Sequence, residues 1–418
     1  MCPENQQNAL PPCETEAWTQ HPVAIWLMQS RHAPNATETF FTELNERLLE
    51  AGIALFRTSC GLLAMHPQVF AYALRWERGR GTSLQERSYD LRDSATYRDS
   101  PVYLLHRGVD ALRRRLDSED TPLDFPILKE LRADGATDYV AMALHFSTGQ
   151  INYISWATDR PGGFSTRELC FLSALIPLIA LRLEIMSTYR LADNLLTTYL
   201  GTAAARRVLA GTIRRGEGER LKTALFYCDL RGFTKIADTS DADDLITLLD
   251  SYFDCIVDPI TDEGGEVLKF IGDAILAIFP IREDETAACC KAMSAALQSL
   301  HNLTLLNERR LAEGNEPIRA GIGLHIGEII FGNIGGARRL DFTAIGRAVN
   351  EVVRVEELCA QLGHPLLTTE RFACANCGHK LRPIGVHNLR GILRGAELFA
   401  LAEEEKILPP GAPVAAPG

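Results

Sequence analysis

The sequence predicts an α/β (α+β) protein in two parts, a mixed α/β unit over residues 18–186 and a ferredoxin-like α/β core within residues 220–402. Three observations carry this. The chain has 418 residues, 46% of them apolar and 23% charged, which is an ordinary globular composition and enough length for two to three domains. Up to residue 186, strand-like apolar pieces alternate with helical stretches. From Leu221 the order becomes strand, helix, hairpin, helix, strand, the order of a ferredoxin-like core with additions.

Taken in order, residues 1–17 are polar and Pro-containing and read as a disordered tail. A helix is expected through Phe40, Phe41, Leu44, Leu48 and Leu49, whose spacing makes one apolar face. Strand-like pieces follow at Ile53–Arg57 and Tyr72–Trp76. Tyr139–Phe146 and Ile151–Thr158, joined by Ser147-Thr148-Gly149, form a hairpin, and a helix at Ser165–Tyr189 closes the unit. This succession resembles a GAF-type sensory domain, which implies a small-molecule or protein signal; a packing or dimerisation domain without ligand is the alternative. Residues 187–219 carry a broken helical pattern ending in Arg214-Arg215-Gly216-Glu217-Gly218, the pattern of a helical coupling segment or of an inert spacer. Residues 403–418, with Pro409, Pro410, Pro413 and Pro417, read as a second disordered tail.

Charge narrows the partners. Lys and Arg total 43 against 54 Asp and Glu, a net charge of -11, so nothing draws the chain as a whole to nucleic acid or an anionic membrane. The longest uncharged apolar run, Leu169–Leu181, is interrupted by Pro177 and stops at Arg182, too short to span a bilayer. Eleven irregularly spaced cysteines argue against a disulfide framework and for a reducing compartment, and with no secretory pattern at the start the chain reads as cytoplasmic.

In the second part, Ala224–Cys228 reads as a buried strand, and Leu245, Leu248, Leu249, Tyr252, Phe253, Ile256 and Ile260 lie at helical spacing. Glu266–Ile271 and Ala274–Phe279 are strands joined by the tight turn Gly272-Asp273. A long helix from Glu283 to Ala312, strands at Ile318–Ile326 and Phe342–Ile345, and a helix at Ala348–Leu362 complete the core. Asp229 closes the first strand and Asp273 sits in the hairpin turn, so neighbouring strands bring both carboxylates to one spot. Hard oxygen ligands in that arrangement suit Mg²⁺. The loop after Asp229, Leu230-Arg231-Gly232-Phe233-Thr234, leads toward a helix whose free N–H groups suit a triphosphate.

With these motifs in view, residues 221–401 resemble the class III nucleotidyl cyclase catalytic domain. Phe226–Thr234 resembles its first metal motif and Glu266–Asp273 the second, while Phe342–Asn350 with Arg354 resembles the segment that reads the base and stabilises the transition state. The resemblance implies that Asp229, Asp273 and the Leu230 carbonyl hold two Mg²⁺ ions, with Mn²⁺ as a substitute. It implies that Phe233 and Thr234 lie beside the substrate, that Asn350 orients the ribose, that Arg354 binds the α-phosphate and that Arg338 meets the terminal phosphates. The segment Leu389–Gly395 departs from the pattern: it lacks the usual phosphate-binding lysine, which leaves Arg390 or Arg394 to replace it. The resemblance further implies a head-to-tail homodimer with two shared sites.

Base choice rests on two side chains. Lys269 only donates, which suits the acceptor N1 of adenine and not the donor N1 of guanine. Thr343 both donates and accepts, so it discriminates less. ATP is therefore the expected substrate, guanylate cyclase the nearer alternative, and a non-catalytic nucleotide-binding partner the more distant one, since every catalytic group of the motif is present. Other motifs read as structural: Cys374-Ala375-Asn376-Cys377 lacks a second pair for zinc, Gly321-Ile322-Gly323 continues as a strand, Cys289-Cys290 packs on the long helix, and Arg113-Arg114-Arg115 is a solvated helix face.

Overall fold

A computed structural model describes residues 18–33, 35–64, 69–118, 121–336, 338–375, 378–391 and 395–402. The chain divides into two compact units, Met1–Leu195 and Leu196–Gly418. Both predicted tails lie outside the described residues.

The first unit contains α1 (Pro22–Gln29), α2 (Thr37–Glu50), β1 (Arg57–Leu63), β2 (Ala71–Glu77), β3 (Gly81–Arg87), α3 (Asp90–Asp93), α4 (Ala95–Arg98), α5 (Pro101–His106), β4 (Ala111–Arg115), α6 (Pro126–Ala133), β5 (Asp138–His145), β6 (Ile151–Thr158) and most of α7 (Thr166–Leu200). Its six strands form an antiparallel sheet in the order β3-β2-β1-β6-β5-β4. Because side chains alternate along a strand, Cys60, Leu62, Leu74, Trp76, Ile154 and Trp156 share one face, buried with Phe40, Phe41 and Leu44 of α2 and Leu172, Leu175 and Ile179 of α7. The opposite face carries small and polar residues, Ser59, Gly61, Ala73, Ser155 and Ala157, among them.

Three sequence expectations are corrected in this unit. The apolar residues Ile53 and Leu55 are buried without being strand: Gly52 (φ 88°) turns the chain, and the Ile53 N–H returns to the Leu48 carbonyl at 3.1 Å, so they plug the end of α2 before β1 starts at Arg57. Arg113–Arg115 lie on a strand, β4, where each guanidinium meets a carboxylate: Asp138 at 2.7 Å, Asp124 at 2.7 Å and Asp117 at 3.1 Å. The last helix runs through Pro177 to Leu200 rather than ending at Tyr189. By length and composition α7 is apolar enough to cross a membrane, with a mean hydropathy of 2.0 over its most apolar window, and seven of its residues, from Leu169 to Met186, are buried. Against the expectation of no disulfides, Cys170 and Cys290 are each engaged in a disulfide, whereas Cys60, Cys228, Cys255, Cys289, Cys359 and Cys374 carry free thiols.

The second unit continues with α8 (Thr202–Leu209), β7 (Gly218–Leu230), α9 (Phe233–Thr239), α10 (Ala242–Asp262), β8 (Glu266–Ile271), β9 (Ala274–Pro280), α11 (Glu285–Ala312), β10 (Ala320–Gly336), β11 (Arg339–Ile345), α12 (Arg347–Leu362), β12 (Leu366–Thr369), α13 (Glu370–Cys374), β13 (Leu381–His387) and β14 (Ala396–Leu401). Its sheet runs β13-β14-β12-β10-β7-β9-β8, with β11 paired to the far end of β10. Among the described residues, only β10 and β12 pair in parallel. Ala224, Phe226 and Cys228 bury one face of β7 with Tyr252 and Ile256 of α10 and Cys289 and Met293 of α11. Leu225 and Tyr227 bury the other with Ala204 of α8 and Ala348 and Val352 of α12. The Gly321-Ile322-Gly323 step is what lets α12 lie so close: a Cβ on Gly323 would stand 2.7 Å from the Val352 carbonyl oxygen and 2.9 Å from the Glu356 nitrogen.

Candidate active site

β7 and β9 pair in antiparallel register with Cys228 opposite Ile275, and β9 turns into β8 through Gly272-Asp273. Asp229, one residue past Cys228, therefore meets the hairpin turn side by side. Gly272 adopts φ 66°, and a Cβ there would meet nothing within 4 Å, so the glycine serves the backbone turn alone. Burial, and then the hydrogen-bonded and charged carboxyl of Asp273, push Asp229 up to about 7. Its Oδ1 accepts from the Leu230 N–H at 3.0 Å.

A third carboxyl stands beside this pair that the sequence reading missed. Glu356 on α12 is 5% exposed, and burial followed by Asp229 pushes it up to about 8, opposed by the Arg231 guanidinium. A signal was present: Val352, Val355 and Cys359 of α12 are buried, and position 356 falls on their face, so an acid sits where the helical period demands an apolar residue. Two converging carboxylates next to a strand-end carbonyl form an electronegative hole of hard oxygen donors. That donor set fits a divalent cation such as Mg²⁺.

The base-reading candidates lie elsewhere. Lys269 is opposite Leu276 on β9, which is opposite Tyr227 on β7, so it sits two strands from β7. Its ammonium is ion-paired with Asp341 of β11, a partner the sequence reading did not name. Thr343, two residues along the same strand, shares the face of Asp341 and is half-buried. Lys269 and Asp341 open on a groove of about 1350 Å³ that also takes in Phe270, Arg339 and Phe342; neither Asp229 nor Asp273 lines it.

Asn350 is exposed on α12, and Arg354 lies one turn on with its guanidinium paired to Glu357. Phe233 and Thr234 open α9 directly after β7. Arg338, before β11, and Arg390, after β13, are exposed and make no hydrogen bond or ion pair among the described residues; Arg394 and Cys377 lie outside them. Among the described residues, no hydrogen bond or ion pair links the Asp229–Asp273 pair to Lys269, Asn350 or Arg354. The structure thus assembles three clusters: the carboxylates, the Lys269–Asp341–Thr343 group, and the α12 pair.

Residues 219–401 match the family described as adenylate and guanylate cyclase catalytic domain. Over these residues the chain is similar to an adenylate/guanylate cyclase catalytic domain. An adenylate cyclase of Anabaena cylindrica is 33% identical over 162 residues, which are 38% of this chain and 31% of that protein. The terminal-differentiation-specific adenylate cyclase of Dictyostelium discoideum is 34% identical over 146 residues, 35% of this chain and 7% of that protein. The chain thus spans under a third of either relative. Among solved structures, a bacterial light-regulated adenylyl cyclase is similar at 25% identity with a TM-score of 0.45, covering 55% of this chain and 64% of that one. The cyclase domain accounts for β7 to β14 and leaves the first unit unassigned.

Proposed function

We propose that the chain is an adenylate cyclase that converts ATP to 3′,5′-cyclic AMP and pyrophosphate under control of its GAF-like N-terminal unit. The observation that carries the chemistry is the convergence of Asp229 and Asp273 on one strand end, with Asp229 pushed up to about 7. Two Mg²⁺ ions, or Mn²⁺, held there by both carboxylates and the Leu230 carbonyl would lower the pKa of the ribose 3′-hydroxyl and neutralise triphosphate charge. Asn350 orients the ribose, and Arg354, freed from Glu357, stabilises charge on the α-phosphate as the 3′-oxygen attacks in line and pyrophosphate departs. Arg338 and Arg390 meet the outer phosphates, beside the start of α9 at Phe233 and Thr234.

Adenine is favoured because Lys269 presents only donors, aimed along β11 by Asp341. Thr343, able to donate to a guanine O6, supports guanylate cyclase as the second reading. The separation of the carboxylates from the Lys269 and Arg354 groups within one chain supports a head-to-tail homodimer, in which each site takes its carboxylates from one copy and its base-reading and α12 groups from the other. The test is purified protein with Mg²⁺ or Mn²⁺ and either ATP or GTP, with cyclic products separated. Equal turnover of GTP overturns the base assignment, and absence of any cyclic product overturns the enzyme.

A further inference from the structure

The face of the first sheet turned away from α1, α2 and α7 is unusual for a packed interior. A sheet covered by helices normally fills the space with Leu, Ile and Val, as the opposite face does. Here the middle of β1 and β6 carries Ser59, Gly61, Ser155 and Ala157, and the result is a cavity of about 340 Å³ between this floor and the short helices α3–α6. That volume lies in the range of small-molecule sites. A Cβ on Gly61 would stand 2.1 Å from Cε1 of Tyr153, so the Tyr153 ring fills the space over the glycine and the open floor lies beside it, over Ser59 and Ser155.

The lining chemistry is selective. Phenols of Tyr97, Tyr139 and Tyr153 and hydroxyls of Ser59 and Ser155 supply neutral polar groups; burial raises Tyr139 to about 12, so it stays protonated. His106 also lines the cavity. Its Nδ1 is 2.6 Å from the Tyr97 hydroxyl, while its buried Nε2 has no partner among the described residues, and burial lowers its pKa and keeps the ring neutral. Among the described residues, two arginines line the cavity and no Asp or Glu does. Arg57 is already neutralised by Glu130 at 2.7 Å and Asp134 at 3.9 Å. Arg87, exposed at the end of β3, has only the neutral Gln85 amide oxygen at 2.6 Å among the described residues, and its charge is felt by the Tyr153 phenol.

We propose that this cavity binds a small planar aromatic monoacid, its ring on the Ser59–Ser155 floor among the tyrosines and its acid group at Arg87. The proposal deepens the reading of this unit as the regulator, on which its relevance to the cyclase rests, and it names the chemistry of the signal. The room comes from small residues, the rings from Tyr97 and Tyr153, and the uncompensated positive charge from Arg87. A neutral ring of the same size would leave that charge unmatched, which is the basis for discrimination.

The experiment is calorimetric titration of the full chain, without nucleotide, with benzoate, phenylacetate and indole-3-acetate and with their neutral alcohols. At least one acid is expected to bind saturably with a dissociation constant below about 1 mM, and its alcohol about tenfold more weakly. Arg87→Gln should erase that preference, and Ser155→Leu, which fills the floor, should abolish binding; circular dichroism checks that each variant is folded. If Ser155→Leu does not fold, the exposed Arg87→Gln decides alone. Failure of all three acids to bind, equal binding of acid and alcohol, or unchanged acid binding in folded Ser155→Leu or in Arg87→Gln each overturns the proposal. Because binding is read without ATP, failure here leaves the cyclase reading intact, and loss of cyclic product formation would not touch this one.

Discussion

The two sheets of this protein use their faces in opposite ways. In the cyclase sheet the central strand β7 is packed on both faces, by α10 and α11 on one and α8 and α12 on the other, and the converging carboxylates Asp229 and Asp273 stand at a strand end and a turn. The N-terminal sheet is packed by α2 and α7 on one face; on the other, α5 and α6 cover the β4–β5 end around Leu112, Leu128 and Tyr139, and an open floor remains beside them on β1 and β6. A solid sheet fixes charged groups at its rim to the accuracy that catalysis needs. A sheet with one hollow face trades packing energy for a place to hold a molecule.

The largest expected effect tests the rim. Asp229→Asn or Asp273→Asn preserves size and removes charge, so cyclic nucleotide formation should fall on the order of a hundredfold or more while circular dichroism stays unchanged. Retained turnover in a folded variant would move the chemistry away from the strand ends. The companion test uses two crippled chains. Arg354→Ala and Asp273→Ala should each be inactive, and mixing them should restore activity in proportion to heterodimer, because one site then gathers both defects and the other neither. Confirmed subunit exchange without recovered activity would place the whole site within one chain.

What was legible in the sequence follows from the same contrast. Rim residues are contiguous: Asp229 ends a run of strand residues, Asp273 follows the turn glycine, and Asn350 and Arg354 are one helical turn apart, so each could be found in a short window. Asp341 was not, because its meaning depends on β11 folding across to Lys269 on β8, 72 positions away. Glu356 was hidden by its class, an acid in a face that packing normally reserves for apolar side chains. The cavity floor was the least legible, since Ser59 and Ser155 are unremarkable alone and meet only through the β1–β6 register. Arg113–Arg115 were misread for a related reason: the carboxylates that make a strand of three arginines tolerable come from other segments.

Two glycines measure how solid each sheet is. Gly323→Ala in β10 drives a Cβ into the α12 backbone, at the Val352 oxygen and Glu356 nitrogen, and neither can yield without moving the helix. It should cost about 1–3 kcal/mol in the unfolding transition of the cyclase unit. Gly61→Ala meets a closer atom, but that atom belongs to the Tyr153 ring, which borders the cavity and has room to swing. Its cost should be smaller, on the order of 1 kcal/mol or less. An equal or larger loss for Gly61→Ala, read by thermal unfolding of each unit, would mean that the N-terminal floor is as tightly packed as the cyclase sheet.

The smallest effect concerns the buried acid beneath the rim. Glu356 is pushed up to about 8 by burial first and by Asp229 second, against an ordinary value of 4.5. Below pH 4.5 the side chain is protonated in both folded and unfolded chains and contributes nothing to pH dependence. Between 4.5 and 8 the unfolded chain has released its proton while the folded chain retains it, so the cost of folding grows as pH rises; above 8 both are ionised and the cost is complete. Glu356→Gln removes the charge and keeps the shape. In metal-free buffer the variant should therefore gain on the wild type as pH increases from 5 to 8 and hold that gain at pH 9, by roughly 2–4 °C in the melting temperature of the cyclase unit. Addition of Mg²⁺ should narrow the gap, because a cation beside Asp229 offsets the charge that Glu356 must bear at high pH. A gap that is independent of pH would show that Glu356 acts through packing alone, and a gap that Mg²⁺ leaves unchanged would separate this carboxyl from the Asp229–Asp273 pair.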